Sequence, residues 1–304
     1  MTASPLRTFS PDAPVAIIGT GVMGTKVAWA TARVGIPVRA YDVDLDKTRA
    51  AIDRALGWSD GDERATVAKH LRPAETLEQA LDGAQLAFEN VPEDPVLKRD
   101  VLGRIDRLLD QASYIGTNTS SMLCSTLSAA TQRPDRFFAL NFSDPRYMRL
   151  VELMGSADTA PATLEFARRW ARAIGMVPIQ MGKEQMGYAF NRLWRVIKKE
   201  VLRQIAEGYT TPRDIDRAWM LAFGMPYGPC GLMDEIGLDS VRKIEENYFR
   251  ASGDPTDRPP AFLIEMIERG EKGLPTGRGF YWHPDPEFQR PGFLEGQDAD
   301  PSKP

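Results

Sequence analysis

The chain has 304 residues, with 38 basic and 42 acidic side chains and a formal net charge of −4 at pH 7. That length, with 42% hydrophobic residues, is typical of a globular protein of one large or two ordinary domains. The acidic balance and the lack of a basic run exclude nucleic acid as an expected partner. No apolar run approaches the roughly 20 residues that span a bilayer, so we expect no membrane partner either.

The first fourteen residues are polar and contain three prolines, which predicts a flexible tail over 1–14 and is unlike a signal peptide. Two cysteines, Cys124 and Cys230, exclude a disulfide framework and suit a reducing compartment. We therefore expect a cytoplasmic protein.

Short apolar runs alternate with helical periods in the first part of the chain. Strands are predicted over 15–18, 38–41, 85–89, 114–116 and 137–140, and helices over 23–34 and 45–56. This alternation predicts an α/β domain over 15–183, a Rossmann-type, doubly wound parallel sheet with helices on both faces.

The period changes near residue 184. Apolar residues from Phe190 to Ile205 recur at helical spacing, and residues 212–223 and 232–249 are also predicted to be helical. We expect an all-helical C-terminal domain over 184–281. Residues 282–304 are rich in proline and aspartate, which predicts an extended tail.

A glycine motif joins the first strand to the first helix. In Gly19-Thr20-Gly21-Val22-Met23-Gly24, the first glycine permits a tight turn, the second a close approach of pyrophosphate, and the third close helix–strand packing. The helix N-terminus offers free N–H groups to the phosphates. We therefore expect Gly19, Gly21, Val22, Met23 and Gly24 to bind a dinucleotide.

Asp42 ends the second strand, 23 residues after Gly19. A carboxylate there accepts hydrogen bonds from ribose hydroxyls and repels a 2′-phosphate, which favours NAD as the cofactor. The alternative is that Asp42 only caps the following helix.

Three further segments carry polar residues at the ends of predicted strands. They are residues 89–94 with Lys98, residues 118–121, and residues 136–145 followed by 148–152. Each segment alone would be read as a charged loop or a helix cap. In this order, and with the segments 187–192, 214–216, 226–229, 237–239 and 276–281, the chain resembles the 3-hydroxyacyl-CoA dehydrogenase family over roughly residues 15–281.

The resemblance implies hydride transfer between NAD and a carbon bearing a 3-hydroxyl group, on a small-molecule substrate. It also implies a homodimer formed through the helical domain and a substrate cleft that this domain helps to form. It places Val91, Glu93, Lys98 and Asp144 in the cofactor site. No cluster has metal-ligand spacing, so no metal is expected.

The resemblance also implies four catalytic positions. Ser120 would bind the substrate oxygen, Asn191 would reach the reacting centre, and Glu152 matches the carboxylate that orients the family's catalytic histidine. That histidine is replaced here. The family pattern reads His-Phe-Phe-Asn-Pro, whereas this chain begins the same segment with Asn141.

Asn141 cannot accept the hydroxyl proton, although its carboxamide can donate a hydrogen bond to a carbonyl or an alkoxide. The two histidines, His70 and His283, lie outside these motifs. Three accounts remain open. Glu152 is itself the acid/base, the substrate carries its own ionisable group, or the hydride chemistry is lost.

The substrate carrier is a second departure from the family. The helical hairpin that helps to bind coenzyme A in the family is shortened here around residues 57–62, which are acidic. We therefore expect a substrate that is not a CoA thioester: a free hydroxy or keto acid, or an aromatic β-keto compound.

The sequence predicts an NAD-dependent oxidoreductase that interconverts a 3-hydroxy and a 3-keto group on such a substrate. A non-redox enzyme on the same scaffold (a lyase, isomerase or dehydratase) is one alternative, and a 3-hydroxyacyl-CoA dehydrogenase with weakened catalysis is another. A binding protein that only retains the dinucleotide fold is a further alternative.

Overall fold

A computed structural model describes residues 7–297 of the chain. It divides into two compact units, Met1–Asn191 and Arg192–Pro304, whereas the sequence places the change of domain after residue 183. Residues 184–191 stay with the first unit because side chains there fasten them. The Ser125 N–H donates to Glu184 Oε1 (2.6 Å), and the Ala189 N–H donates to Glu152 Oε1 (2.9 Å).

The first unit is built on one eight-stranded sheet, in the order β3-β2-β1-β4-β5-β6-β7-β8. The strands are β1 Val15–Ile18, β2 Val38–Tyr41, β3 Leu71–Pro73, β4 Leu86–Glu89, β5 Tyr114–Thr117, β6 Phe137–Phe142, β7 Leu150–Met154 and β8 Val177–Gln180. The predicted α/β class is confirmed. The predicted doubly wound parallel sheet is confirmed as a mostly parallel one, in which β6 and β7 form an antiparallel hairpin. Strands β3, β7 and β8 were not predicted.

Seven α-helices lie in the part of this unit that the structure describes: α1 Val22–Ala32, α2 Leu45–Gly57, α3 Gly61–His70, α4 Leu77–Leu81, α5 Pro95–Leu108, α6 Cys124–Ser128 and α7 Pro161–Ala173. Their apolar faces form two cores, one on each face of the sheet. Val15 and Ile17 of β1 point into one core with Trp170 of α7, and Ala16 and Ile18 point into the other. Such a fully buried strand is why the β1 sequence is apolar throughout.

The strand order reverses beside β1, which pairs with β2 on one side and with β4 on the other. The carboxyl ends of β1, β2 and β4 therefore lie at one edge of the sheet, at Ile18, Tyr41 and Glu89. Ligands of open α/β sheets bind in the crevice at this kind of reversal.

The second unit is helical, as predicted. After α8 (Phe190–Ala206) it contains α9 Pro212–Phe223, α10 Pro229–Ile236, α11 Leu238–Ser252 and α12 Ala261–Glu268. The continuous helix predicted over 232–249 is wrong, because Gly237 has φ +89° and separates α10 from α11. Over residues 7–297, no helix combines the length and the apolarity needed to span a bilayer.

The flexible N-terminal tail is wrong for residues 7–14, and residues 1–6 lie outside the described part. The Phe9 ring packs edge-on against Phe166, with the ring centroids 5.9 Å apart. The Gln85 amide donates to the carbonyl oxygens of Ser10 (2.6 Å) and Ala13 (2.7 Å). These contacts fix the segment against the first unit.

The extended C-terminal tail is wrong for residues 282–297, while residues 298–304 lie outside the described part. Phe288 and Phe293 are buried in the core of the second unit. His283 Nε2 lies 3.1 Å from Asp234 Oδ2 and its side chain is 5% exposed, so this histidine is a structural residue of the second unit.

Candidate active site

The glycine motif forms a cradle at the edge of the sheet. Gly19 has φ +93°, and a Cβ on it would lie 2.8 Å from the backbone of Asn90. A Cβ on Gly24 would overlap the Gly19 carbonyl oxygen, whereas one on Gly21 would meet nothing within 4 Å. Gly19 and Gly24 are therefore required by close backbone packing, whereas Gly21 borders open space. This open space at the N-terminus of α1 fits a pyrophosphate.

A cavity of about 1040 Å³ lies over this cradle. The predicted cofactor residues in its wall are Gly19, Gly21, Val22, Met23, Asp42, Val91 and Glu93. The other three predicted cofactor residues, Gly24, Lys98 and Asp144, are not in the wall of this cavity.

Asp42 lies in this cavity and does not cap a helix. Its Oδ2 accepts hydrogen bonds from the Thr20 N–H (2.9 Å) and from the Thr20 hydroxyl (3.4 Å). The cap of α2 is Asp44, whose Oδ1 accepts from the N–H groups of Asp46 (3.0 Å) and Lys47 (3.2 Å). The interpretation of Asp42 as a helix cap is therefore wrong.

Three cations line the same cavity: Lys47, Arg54 and Arg104. All three are exposed residues. They complement the negative charge that the phosphates of a dinucleotide bring.

A buried ion pair lies beneath the loop that follows β4. The Lys98 Nζ is 2.9 Å and 3.1 Å from the two carboxylate oxygens of Glu89, 3.1 Å from the Val91 carbonyl oxygen, and 3.3 Å from Glu93 Oε2. Burial raises the pKa of Glu89, although Lys98 and a hydrogen bond from Thr117 act to lower it. Lys98 and Glu89 are fully buried, so Lys98 positions the loop that carries Val91 and Glu93.

Glu93 in turn holds the loop that follows β5. Its Oε1 accepts from the Thr119 hydroxyl (2.5 Å) and from the N–H groups of Ser120 (3.0 Å) and Ser121 (2.9 Å). Partial burial acts to raise the pKa of Glu93, but these hydrogen bonds and Lys98 outweigh it and lower the pKa. The Ser120 hydroxyl makes no hydrogen bond to any other residue within 7–297, which leaves it available to a ligand.

Asn118 connects the cofactor cavity to β6. Its side chain lines the cavity, and its Nδ2 donates to Asn90 Oδ1 (3.0 Å). Its Oδ1 accepts from the N–H of Phe142 (3.1 Å), the residue that follows Asn141. One carboxamide therefore joins the ends of β4, β5 and β6.

Asn141 and Glu152 face each other across the β6–β7 hairpin. The Asn141 Nδ2 donates to Glu152 Oε2 (3.3 Å), and Glu152 Oε1 accepts from the N–H groups of Ala189 (2.9 Å) and Phe190 (2.8 Å). Glu152 is 2% exposed. The carboxylate thus holds Asn141 and the start of α8 together, and Asn191 is the next residue of that helix.

Tyr188 shapes the turn that presents these two N–H groups. Its φ is +51°, a left-handed conformation that is uncommon and strained for a residue with a side chain. The ring is fully buried, and its hydroxyl donates to the Thr119 carbonyl oxygen (3.0 Å). This anchor offsets the strain.

Asp144 lies three residues beyond Asn141 and is bound by two cations. Its Oδ2 is 2.7 Å from Lys26 Nζ, on α1, and 2.9 Å from Arg146 Nη2. Partial burial acts to raise the pKa of Asp144, but these hydrogen bonds outweigh it and lower the pKa to about 2. Asp144 therefore ties the hairpin to the helix of the glycine motif.

The residues of this site that were not among the predicted site residues include Thr20, Lys26, Glu89, Asn118 and Tyr188. Glu89 had a visible signal, because an acid that ends an apolar strand needs a buried partner. The roles of Thr20 and Lys26 depend on carboxylates 22 and 118 residues away in sequence, and no local pattern indicates them.

Two family models cover most of the chain. Residues 14–185 match the 3-hydroxyacyl-CoA dehydrogenase NAD-binding domain, and residues 187–283 match the 3-hydroxyacyl-CoA dehydrogenase C-terminal domain. The chain belongs to the 3-hydroxyacyl-CoA dehydrogenase family. It is therefore an NAD-dependent oxidoreductase, with an NAD-binding domain followed by a helical domain.

Relatives of this family member differ in the substrates for which they are named. A 3-hydroxybutyryl-CoA dehydrogenase of Mycobacterium tuberculosis is 29% identical over 277 residues, which are 88% of this chain and 97% of the relative. A 5-formyl-3-hydroxy-2-methylpyridine 4-carboxylate 5-dehydrogenase of Mesorhizobium japonicum is 29% identical over 281 residues, 88% of this chain and 89% of the relative. The solved structure of a diketoreductase, described as acting on dicarbonyl compounds, has 32% identity and a TM-score of 0.82, and covers 90% of this chain and 100% of its own.

Proposed function

We propose that the protein is an NAD-dependent oxidoreductase that interconverts a 3-hydroxy and a 3-keto group on a substrate that is not a CoA thioester. Asn141 and Glu152 replace the family's histidine–glutamate pair. The observation that carries this proposal is the hydrogen-bonded path from the cofactor cavity, through Asn118, to the backbone next to Asn141.

NAD is the proposed cofactor because the glycine cradle leaves room above Gly21 and Asp42 lines the same cavity. Gly19, Gly21, Val22 and Met23 would hold the pyrophosphate, and Asp42 would accept hydrogen bonds from a ribose. Bound at this edge, NAD supplies the acceptor for the hydride that leaves the hydroxyl-bearing carbon.

Asn141 binds and orients the substrate oxygen. One N–H of its amide is used by Glu152, so the second N–H and the carbonyl oxygen remain for the substrate. The N–H stabilises a carbonyl or an alkoxide oxygen by donating a hydrogen bond to it, a role of the family's histidine that a carboxamide can also fill. The Ser120 hydroxyl would donate a second hydrogen bond to the same oxygen, and Asn191 follows Phe190, whose N–H donates to Glu152.

Asn141 cannot accept the proton of the substrate hydroxyl group. Glu152 is buried, and its Oε1 already accepts two backbone N–H groups. We infer that Glu152 positions Asn141 and α8. As the hydride leaves C3, the proton of the 3-hydroxyl group passes to an ionised group of the substrate itself and from there to water, and the reduction takes the reverse path. A substrate with an acidic enol or phenol meets this requirement.

Two features support a substrate without coenzyme A. The connection between α2 and α3 has only three residues, 58–60, in the region where the resemblance implies a CoA-binding hairpin. Two of the three relatives described above are named for substrates other than acyl-CoA.

We also propose a homodimer formed through the helical unit, in the cytoplasm. Large apolar side chains of that unit are exposed, including Leu193 (65%), Leu221 (61%) and Phe223 (65%). Cys124 and Cys230 are free and buried, which suits a reducing compartment. Sedimentation equilibrium should give twice the chain mass, and Leu221→Lys should shift it towards the monomer.

The reaction is tested with NADH and a panel of β-keto compounds in parallel. Binding of NADH is first measured by energy transfer from tryptophan, together with NADPH, which should bind more weakly. Reduction of ethyl acetoacetate or acetoacetate with stoichiometric oxidation of NADH, faster than that of acetoacetyl-CoA, supports the proposal. Consumption of substrate without oxidation of NADH would favour a lyase, isomerase or dehydratase instead.

A further inference from the structure

The tip of the β6–β7 hairpin, residues 143–149, is fixed in place beside the Asn141–Glu152 pair. The Ser143 N–H donates to the Leu150 carbonyl oxygen (3.2 Å) and closes the hairpin two positions beyond that pair. The N–H groups of Tyr147 (3.0 Å) and Met148 (2.8 Å) then donate to the Asp144 carbonyl oxygen and fold the tip into a turn.

Arg146 is the most constrained side chain of this tip. Its Nε and Nη2 donate to Asp144 Oδ1 (3.2 Å) and Oδ2 (2.9 Å), a paired contact that fixes the plane of the guanidinium. Its Cζ lies 4.5 Å from the centre of the Trp58 ring and 4.8 Å from that of Tyr147. The guanidinium is therefore held by one carboxylate and two aromatic rings.

One nitrogen of this guanidinium is not used. Nη1 makes no hydrogen bond to another residue of the described chain, and the Arg146 side chain is 23% exposed. Because Asp144 also pairs with Lys26, the three side chains together carry one net positive charge. A fixed cation with two free N–H groups is suited to an anionic oxygen group.

The aromatic wall comes from the short connection between α2 and α3. The Trp58 ring stands edge-on to Trp29 of α1, with centroids 6.2 Å apart and planes at 89°. The Trp29 indole N–H donates to the Ser59 Oγ (2.8 Å), which pins the connection to α1. The connection therefore lies against the hairpin tip.

We propose that Arg146 binds a carboxylate of the substrate through Nη1, so that the substrate is a free keto or hydroxy acid, with Trp58 and Tyr147 bordering the anion. This rests on the proposed function, because it concerns the same site. It goes further by naming the group that recognises the substrate and the charge that the substrate carries. A phosphate of coenzyme A is another anionic oxygen group that Arg146 could bind. The experiment must therefore distinguish a substrate carboxylate from a coenzyme A phosphate.

The variants are Arg146→Gln, Arg146→Lys and a control, Arg149→Gln. Arg149 is exposed on the same hairpin, and its Nε donates to the Gly175 carbonyl oxygen (2.9 Å). Each variant is assayed with NADH and acetoacetate, 3-oxoadipate, ethyl acetoacetate or acetoacetyl-CoA. Binding of NADH, followed by tryptophan energy transfer, reports whether the first unit remains folded.

Arg146→Gln should lower kcat/KM for the free acids by roughly 10- to 100-fold, the usual value of one charge-assisted contact. It should change kcat/KM for ethyl acetoacetate less than about threefold, and binding of NADH should not change. Arg146→Lys should lose less kcat/KM than Arg146→Gln, because lysine keeps the positive charge but lacks the planar guanidinium that donates two parallel hydrogen bonds. Arg149→Gln should match the unmodified protein with every substrate.

Two kinetic results would overturn the proposal. A loss confined to acetoacetyl-CoA would assign Arg146 to a phosphate of the carrier. Equal losses for acid and ester, with weakened NADH binding, would make Arg146 a structural residue only.

Calorimetric titration of acetoacetate into the protein saturated with NAD provides a readout that needs no turnover. Binding that Arg146→Gln weakens supports the carboxylate site even where reduction is not observed, in which case only the proposed reaction fails. Binding that does not depend on Arg146 contradicts the carboxylate site, whether or not the protein reduces ketones.

Discussion

Replacing Glu152 by glutamine keeps the shape of the side chain and removes its charge. The Oε1 of Glu152 accepts from the N–H groups of Ala189 and Phe190, and Oε2 accepts from the Asn141 amide. A glutamine oxygen can keep both backbone contacts, but its NH2 group then faces the NH2 group of Asn141. The Asn141 amide must turn over or lose its partner.

The size of the effect follows from the three contacts. Hydrogen bonds to a charged group contribute about 1.5–3 kcal/mol, against about 0.5–1.5 kcal/mol for neutral pairs. A loss of about 1 kcal/mol for each contact gives roughly 3 kcal/mol in all for a side chain that is 2% exposed. The two contacts to Ala189 and Phe190 account for about 2 kcal/mol of this loss, so we expect local opening of residues 188–190 to become roughly thirtyfold more frequent. We expect turnover to fall at least about tenfold as Asn141 loses its orientation.

Hydrogen exchange measured by mass spectrometry on a peptide that covers residues 186–192 is the direct assay, alongside steady-state kinetics. Glu165→Gln is the control, because Glu165 pairs with Arg169 on the surface of α7 (2.9 Å). Unchanged exchange and unchanged turnover in Glu152→Gln would refute both the positioning role and any acid/base role of Glu152.

Three further predictions concern the cofactor loop, the base and the hairpin. Asn141→His should speed oxidation of 3-hydroxybutyrate by roughly 10²-fold and add a kinetic titration near pH 6.5; a flat pH profile without gain would contradict the account of the missing base. Lys98→Met should lower the free energy of unfolding in urea by about 3–5 kcal/mol, most of which Glu89→Gln should restore, because the loss comes from an unpaired buried charge. The pKa of Asp144 lies below its usual 3.8, so its contribution to stability is present above pH 3.8 and is lost as the pH falls towards about 2. Asp144→Asn should therefore reduce the fall in melting temperature between pH 3.8 and about 2. An unchanged pH dependence of the melting temperature would contradict this role of Asp144.

The sequence indicated the glycine cradle and the position of Asp42 at the end of β2 because the requirements of both are local. A tight turn at Gly19, open space at Gly21 and helix packing at Gly24 all fall within six residues. Asp42 follows β2, which pairs directly with β1. Packing between β1 and the flanking helices then needs only apolar residues of the right period.

The rest of the fold and site depends on contacts that no local pattern carries. Strand β8 is exposed at the edge of the sheet and lacks the apolar run of a central strand, whereas the apolar run of β7 is interrupted by Glu152. His283 lies on a segment rich in proline and aspartate, yet Asp234, 49 residues earlier, holds it in the second unit. Tyr188 reaches its conformation through a hydrogen bond to a carbonyl 69 residues away.

The transfer of deuterium from NADH that carries deuterium at both positions of C4 of the nicotinamide tests the central claim most directly. The reactions contain acetoacetate or ethyl acetoacetate, and the product is analysed by mass spectrometry. The account predicts that the 3-hydroxy product carries one deuterium on C3, placed there with Asn141 where the family has histidine. Consumption of the substrate with all of the label still in the nucleotide would contradict it.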